Sequence, residues 1–416
     1  MSTVKIGLFG FGCVGQGVYQ LIDHLAITQF VIKKIAIKDN TKPRIVNADL
    51  LTNDVSEILN DPEIDLFVEV IDNADDAFRI VSTALKLGKP VITANKKMVA
   101  THLKELLKLE AEFGGILLYE AAVCGAIPII RTLNGLFSFE QVNVVRGIFN
   151  GTSNFILSAI FNENLNYDLA LKQAQDLGFA ESNPESDVGG FDAKYKAVIL
   201  AKHIFGVELS ADSVVNLGID NFTADDIRFA KNQGLKIKLI PQLITQNDRF
   251  AVYVLPHFVS RNDRLFHVEN ELNGVQIDAE YSGTHFFNGR GAGAFPTAFS
   301  ILNDVNDATN KKGYAYKKSL GSKERIGDDE VLIEIYLRYR NDEVKKALNF
   351  SGIREGLLDD DYKYIIGNVT LASIAENKHL LIRDGASVIA TGVVKFQKQF
   401  YLQDFNANEK KLEVVN

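Results

Sequence analysis

Along the first third of the chain, short apolar runs, many of them β-branched, alternate with longer stretches whose apolar positions recur every three to four residues. Residues 4–9, 32–37, 66–71, 91–93 and 116–119 read as buried strands, and 14–25, 77–87 and 101–113 as helices. That alternation predicts a parallel, doubly wound sheet. Residues 46–59 carry a weak period compatible with a helix or a loop. After Pro128 the alternation stops: 129–136 is helical, 141–149 strand-like, and 150–154 a polar turn leading into a helix. Residues 252–259, 274–280 and 283–287 read as antiparallel strands, interrupted by helical 192–205 and 224–233. A substrate domain would sit there. Beyond a polar stretch at 311–329, segments 331–339, 342–349, 364–370 and 371–377 predict a small terminal domain of βαβ type. The expected fold class is α/β: an N-terminal Rossmann-type parallel sheet (1–132), a mixed α+β substrate domain (133–317) and a small C-terminal α+β domain (318–416).

Composition narrows the function. The chain has 416 residues with 45 Lys+Arg against 53 Asp+Glu, a formal charge of −8 with His neutral, which argues against a nucleic-acid partner. No apolar run approaches the roughly 18 residues of a membrane span, and the start lacks a signal-peptide core. The expectation is a cytoplasmic protein without a membrane partner. Two cysteines, Cys13 and Cys124, cannot form a disulfide framework or a thiolate metal site.

The first strand runs into Gly10-Phe11-Gly12-Cys13-Val14-Gly15 at the start of a helix. Gly10 permits a tight turn, Gly12 lets backbone approach a pyrophosphate, and Gly15 permits close helix–strand packing. At the end of the second strand Lys38 precedes Asp39, with Lys42 and Arg44 close behind. A carboxylate there accepts the ribose hydroxyls of NAD, and cations pair with the extra phosphate of NADP, so three cations around one carboxylate favour NADP(H) with NAD(H) as the alternative. Thr93-Ala94-Asn95-Lys96 follows a strand and brings Lys96 to the sheet's carboxyl edge. The loop 178–192 is rich in carboxylates, Glu181 and Asp187 among them, and suits an ammonium-bearing substrate. It leads into a helix on which Asp192 and Lys196 are i,i+4; the plain alternative is a surface ion pair worth about 0.3–0.5 kcal/mol. Glu120 ends a strand before a turn with several carbonyls, a setting for a weakly held monovalent cation. Cys124 offers a competing nucleophile, as in a phosphorylating aldehyde dehydrogenase. A non-catalytic NAD(P)-binding sensor is the third reading.

Taken in order, these segments resemble homoserine dehydrogenases through most of residues 1–317. The most specific piece is Ala174-x3-Gly178-Phe179-Ala180-x2-Asn183-Pro184-x2-Asp187-Val188-x-Gly190-x-Asp192-x3-Lys196. TANK at 93–96, EAAVxGxIP at 120–128, GIxNGTSNxIL at 147–157 and GxGAGxxPTA at 289–298 look like the family's other motifs. The resemblance implies NAD(P)-dependent interconversion of L-aspartate 4-semialdehyde and L-homoserine, on the route to threonine and methionine. It implies Lys196 as proton donor, Glu181 and Asp192 as substrate-binding carboxylates with Asp187 beside them, and Lys96 near nicotinamide and substrate. It further implies cofactor contacts at Gly178 and Gly293, and a structural sodium held by Glu120 with the carbonyls of Val123, Gly125 and Ile127. A homodimer or higher homo-oligomer paired through the middle-domain sheets follows from the same resemblance. Two features depart from it. Ile71-Asp72-Asn73 stands where the family commonly has Gly-Gly, which bears on cofactor fit. The tail lacks the Pro-Gly loop of an amino-acid-sensing ACT domain, so the expectation is a degenerate ACT-like domain that pairs subunits without sensing threonine.

Overall fold

The computed structural model describes residues 3–39, 44–246, 249–316, 324–358, 362–396 and 399–404. Lys42 lies outside them. Compactness divides the chain into two units: Met1–Phe139 with Val198–Ala211 and Gly289–Lys318, and Glu140–Ala197 with Asp212–Asn288 and Ser319–Asn416.

The first unit begins β1 (Val4–Phe9), α1 (Cys13–His24), β2 (Phe30–Ala36), β3 (Leu51–Thr52), α2 (Val55–Leu59), β4 (Leu66–Glu69), α3 (Ala74–Lys86), β5 (Val91–Thr93), α4 (Lys96–Phe113), β6 (Leu117–Leu118) and α5 (Ile129–Gly135). Its sheet is parallel in the order β3-β2-β1-β4-β5-β6. The order reverses between β1 and β4, so the carboxyl ends of these strands form the crevice where such sheets take ligands. The stretch 46–59 resolves into a 3-10 turn, β3 and α2. Asn47 and Asp54 accept from the backbone N–H of Asp49 and Ser56, and these two local caps cut one weak period into pieces. Asn73 explains part of the departure at 71–73: its side chain accepts from Asp76 N and caps α3.

The second unit carries β7 (Val142–Ile148), α6 (Gly151–Asn162), α7 (Tyr167–Asp176), α8 (Glu185–Val188), the first half of α9 (Phe191–Phe205, counted with the first unit from Val198), β8 (Val215–Asn216), α10 (Ala224–Asn232), β9 (Lys236–Gln246), β10 (Arg249–Val259), β11 (Leu272–Ala279) and β12 (Gly283–Arg290, counted with the first unit from Gly289). The chain then returns to the first unit as α11 (Ala294–Thr309), whose Ala298, Ile301 and Val305 share a core with Ile6, Leu8 and Val18. A Cβ on Gly17 would stand 2.6 Å from the Ala294 carbonyl oxygen, so only glycine allows α1 and α11 to meet this closely. Compactness therefore groups 289–318 with the first stretch of sequence.

The tail adds β13 (Glu324–Arg325), β14 (Val331–Arg338), α12 (Asp342–Ala347), β15 (Gly352–Leu358), β16 (Lys363–Thr370), α13 (Leu371–Glu376), α14 (Lys378–Asp384), β17 (Ser387–Phe396) and β18 (Gln399–Asp404). Among the described residues the second unit's sheet has twelve strands, with β12-β11-β7-β9-β10-β17-β14-β16-β15 along its path. From β14 to β17 the element order is βαββααβ, a βαββαβ pattern whose second helical segment is split into α13 and α14, and its strands are antiparallel in the order β17-β14-β16-β15. Val144, Ile244 and Leu255 share one core with Val331, Ile335, Val369 and Val388, so the tail and the middle strands bury a common apolar layer.

The rung that joins β10 to β17 pairs His257 with Ala390. His257 is fully buried, its Nε2 has no partner among the described residues, and burial holds its pKa down, to about 3. The unfolded chain protonates this ring near 6.5 and the folded one resists, so its contribution is intact above pH 6.5 and is lost progressively as pH falls toward 3. At pH 5 the loss is about 2 kcal/mol. We expect His257→Gln to flatten part of the acid-side fall in stability; thermal unfolding from pH 8 to 5 reads it, and parallel curves for the two proteins refute it.

Candidate active site

The cap of α6, the short helix α8 and the start of α9 bring Asn150, Asp187, Asp192 and Lys196 together in the second unit. Lys196 Nζ donates to Asp192 Oδ2 at 2.7 Å and to the Phe149 carbonyl oxygen at 2.7 Å. The two side chains are only 9% and 2% exposed, so this is not the surface ion pair that the spacing alone allowed. Asn150 Nδ2 bridges the carboxylates, donating to Asp187 Oδ1 at 2.7 Å and Asp192 Oδ2 at 2.9 Å, while its Oδ1 accepts from Ser153 N and caps α6. Two protons of the ammonium are thus committed within the protein, and a third can be offered elsewhere. The arrangement is a cation held by one buried acid, Asp192, which Asn150 links to half-buried Asp187, and it is able to bind or protonate a developing oxyanion.

Glu181 stands apart from that chain of bonds, exposed, its carbonyl accepting from Gln175 Nε2 at 3.1 Å. Gly178 follows α7 with φ +77°, in the left-handed region that glycine enters freely. Thr152 Oγ1 donates to the Phe179 carbonyl at 2.7 Å, tying this loop to α6.

The first unit gathers the other group. Gly10 has φ +99°, and a Cβ on Gly15 would lie 2.2 Å from the Gly10 carbonyl oxygen, the close packing expected of the third glycine. Gly12 caps α1 with no side-chain hydrogen bond, a Cβ there would meet nothing within 4 Å, and the first turn through Cys13 and Val14 holds no acid. Uncapped N–H groups facing open space suit a pyrophosphate. Lys38 is exposed. Arg44 donates to the Phe11 carbonyl at 2.6 Å, so its guanidinium lies on the glycine loop, and no acceptor reaches its buried Nε among the described residues. Lys96 is the first residue of α4, whose cap is Asn95, accepting from Met98 N. Gly293 caps α11 with φ +111°.

Two sequence profiles cover most of this architecture: one described as "Homoserine dehydrogenase, NAD binding domain" matches residues 10–120, and one described as "Homoserine dehydrogenase" matches 128–305. The homoserine dehydrogenase of Bacillus subtilis is 38% identical over 314 residues, 73% of this chain and 72% of that protein. The chain belongs to the homoserine dehydrogenase family. That of Corynebacterium glutamicum is 38% identical over 324 residues, 75% of this chain and 73% of that one. Among solved structures, a homoserine dehydrogenase from Thiobacillus denitrificans superposes with a TM-score of 0.82 at 28% identity, covering 94% of this chain and 98% of that one. A hyperthermophilic archaeal homoserine dehydrogenase in complex with NADPH superposes at 0.65 with 25% identity, covering 75% and 99%. The chain's activity is therefore that of a homoserine dehydrogenase, an NAD(P)-dependent oxidoreductase.

Within a homoserine dehydrogenase the competing nucleophile has no part. Cys124 is fully buried and held at φ +56° inside the turn that follows Glu120. Neither Asn150 nor the Phe149 carbonyl titrates, and along the chain the NGTSN run from 150 to 154 reads only as a polar turn before a helix and as part of a family motif. A cap whose NH₂ also joins two acids is visible only in three dimensions. The structure likewise shows Asp304 beside Glu120. Glu120 accepts from Ile130 N (2.9 Å) and Arg131 N (2.7 Å), and Asp304 Oδ1 from Arg131 (2.9 Å). Burial and the neighbouring Asp304 push Glu120 up, to about 8, and burial pushes Asp304 up, to about 7. If both ionise, two buried carboxylates against one guanidinium carry excess negative charge, which either a bound proton or a monovalent cation balances. No helix of the described residues is long and apolar enough to cross a membrane.

Proposed function

We propose that L-homoserine or L-aspartate 4-semialdehyde binds at the Asp192–Lys196 centre with Lys196 as proton donor. The observation that carries this reading is the buried ammonium held by Asp192 and Phe149, with Asn150 coupling Asp192 to Asp187. Glu181 and Asp187, with Asp192, attract the substrate's amino group, and Lys96 at the head of α4 serves the same reaction. The nicotinamide supplies or accepts hydride when bound. As negative charge grows on the aldehyde oxygen, Lys196 delivers a proton, and Asp192 keeps the ammonium aimed throughout.

The cofactor is proposed to be NADP(H), held by Gly10, Gly12, Cys13, Val14 and Gly15 with Thr93, Gly178 and Gly293. Support comes from Arg44, donor-rich and seated on the glycine loop, from exposed Lys38, and from the NADPH named with the archaeal relative. Sodium is assigned to Glu120 and the carbonyls of Val123, Gly125 and Ile127, where the buried Glu120–Asp304 pair fits a cation. The protein is taken as a cytoplasmic homodimer or higher homo-oligomer of 1–132, 133–317 and 318–416 domains. The βαββ(αα)β order, with two short helices in the second helical position, supports an ACT-like tail. In it the backbone N–H groups of Arg340 and Asn341 are taken by Asp384, at 2.9 and 3.1 Å, which supports a tail that does not sense threonine.

One assay tests these points: oxidation of homoserine followed by absorbance with NADP or NAD, with and without threonine. We expect turnover with homoserine, preference for NADP, and no inhibition by threonine. Arg44→Ala should reduce the NADP-over-NAD preference by about 10- to 100-fold, the worth of a charge-assisted hydrogen bond. An unchanged preference rules out Arg44 as the phosphate contact.

A further inference from the structure

Glu69, at the carboxyl end of β4, is fully buried and has no part in the reading above. It lies opposite Thr93 in the β4–β5 ladder and accepts from that residue's hydroxyl at 2.5 Å. Its other oxygen accepts from Ile71 N at 2.6 Å. Thr93 Oγ1 in turn accepts from Asn95 N at 3.0 Å, and Asn95 Nδ2 donates back to the Ile71 carbonyl at 3.0 Å. One carboxylate thus closes a ring of hydrogen bonds through the two loops that leave β4 and β5. These loops carry Ile71-Asp72-Asn73, in place of Gly-Gly, and the Asn95 cap that starts α4 at Lys96.

We propose that Glu69 is a positioning residue of the cofactor pocket, locking the 71–73 loop to the 93–96 loop through Thr93 and Ile71. It touches no reacting atom. The inference rests on the nicotinamide-binding role of this sheet edge. As an ionised acceptor the carboxylate takes both protons offered to it, and charge-assisted bonds of this kind hold their partners firmly. Protonated at the oxygen that faces Thr93, it donates to Thr93 Oγ1 instead of accepting, and the Thr93 hydroxyl proton then turns away from the ring. Burial pushes the acid up, to about 7, and Asp72, on the loop after its own strand, is the charged group that acts on it; β5 and α4 present Thr93 and Asn95, which do not titrate. The two arrangements therefore exchange as this carboxyl titrates.

The test uses the full chain with Glu69→Gln, which is nearly isosteric, and Thr93→Val, which removes the same bond from the other side; Thr93 is itself a proposed cofactor contact, so its variant is decided by amide exchange in the cofactor-free protein. NADPH dissociation constants are measured by fluorescence from pH 5.5 to 8.5, and amide exchange is measured on the cofactor-free protein. We expect wild-type affinity to improve through an inflection near pH 7. Both variants should lack that inflection and bind about tenfold more weakly at pH 8, the worth of one charged hydrogen bond. Without cofactor, the amides of Ile71 and Asn95 should exchange about tenfold faster in the variants at pH 8, with those of Asp192–Lys196 unchanged. Wild-type profiles and exchange rates in both variants would overturn the proposal. So would faster exchange spread evenly over the chain, which marks a general stability role. Wild-type protein that binds no NADPH at any pH would instead refute the cofactor reading, while the exchange data still decide the role of Glu69.

Discussion

Lys196→Met should lower turnover by about 10²–10⁴-fold while the NADPH dissociation constant stays at its wild-type value. Methionine matches the reach of lysine without its charge, so the variant removes the proton and the cation and leaves the volume. The bonds to Asp192 and Phe149 disappear with it, and Asp192 then retains Asn150 as a donor. If turnover in the variant stays near normal, Lys196 has no place in the mechanism. Asp192→Asn separates steering from structure: the amide cannot hold the ammonium as an anion does, so turnover should fall with little change in melting temperature. A fall in stability alone would return the pair to a packing role. Steady-state rates, cofactor titration and thermal unfolding on the same preparations give the three readouts.

The second large effect concerns the tail. Arg338 and Asp226 are almost completely buried, with the Arg338 Nε 3.0 Å from both Asp226 oxygens. The guanidinium also donates to the carbonyls of Asn221 (2.8 Å) and Gly385 (3.0 Å) and to Ser387 Oγ (2.7 Å), while Asp226 accepts from Tyr336 OH at 2.9 Å and Thr223 N at 2.8 Å. This network joins β14 and β17 of the tail to α10. Arg338→Met leaves Asp226 as a buried charge without its cation and should cost about 3–5 kcal/mol of stability. Changing both residues to apolar ones of similar size should recover much of that loss, because the penalty lies in the orphaned charge. Denaturant midpoints of the single and double variants measure both. A single-variant loss below about 1 kcal/mol would mean that water or a neighbour neutralises Asp226, and that the tail is held by its apolar layer alone.

Much of the first unit was legible along the chain. Five of the six strands of the parallel sheet, all but β3, overlap the apolar runs, because buried parallel strands are apolar throughout and their helices carry one apolar face. The second unit was harder to read. β9 is buried on both faces yet contains Lys238 and Pro241, which argue against a central strand; Lys238 is tolerated because its Nζ donates to Asn154 Oδ1 (2.8 Å) and the Val268 carbonyl (2.6 Å). β15 escaped for the opposite reason: every residue is exposed, so no apolar alternation marks it.

The candidate site shows the same division. The amino-acid order alone decided the class of chemistry: a glycine turn between strand and helix, a carboxylate-rich loop, and Asp192 one helical turn before Lys196, since these depend on local backbone geometry and fixed spacing. Which carboxylates share a donor, whether the Lys196 amine is buried, that Asp304 faces Glu120, and that Glu69 ties two loops together were decided only by tertiary structure. These contacts join residues from 24 to 184 positions apart, and hydrogen bonding at such separations leaves no period in the sequence.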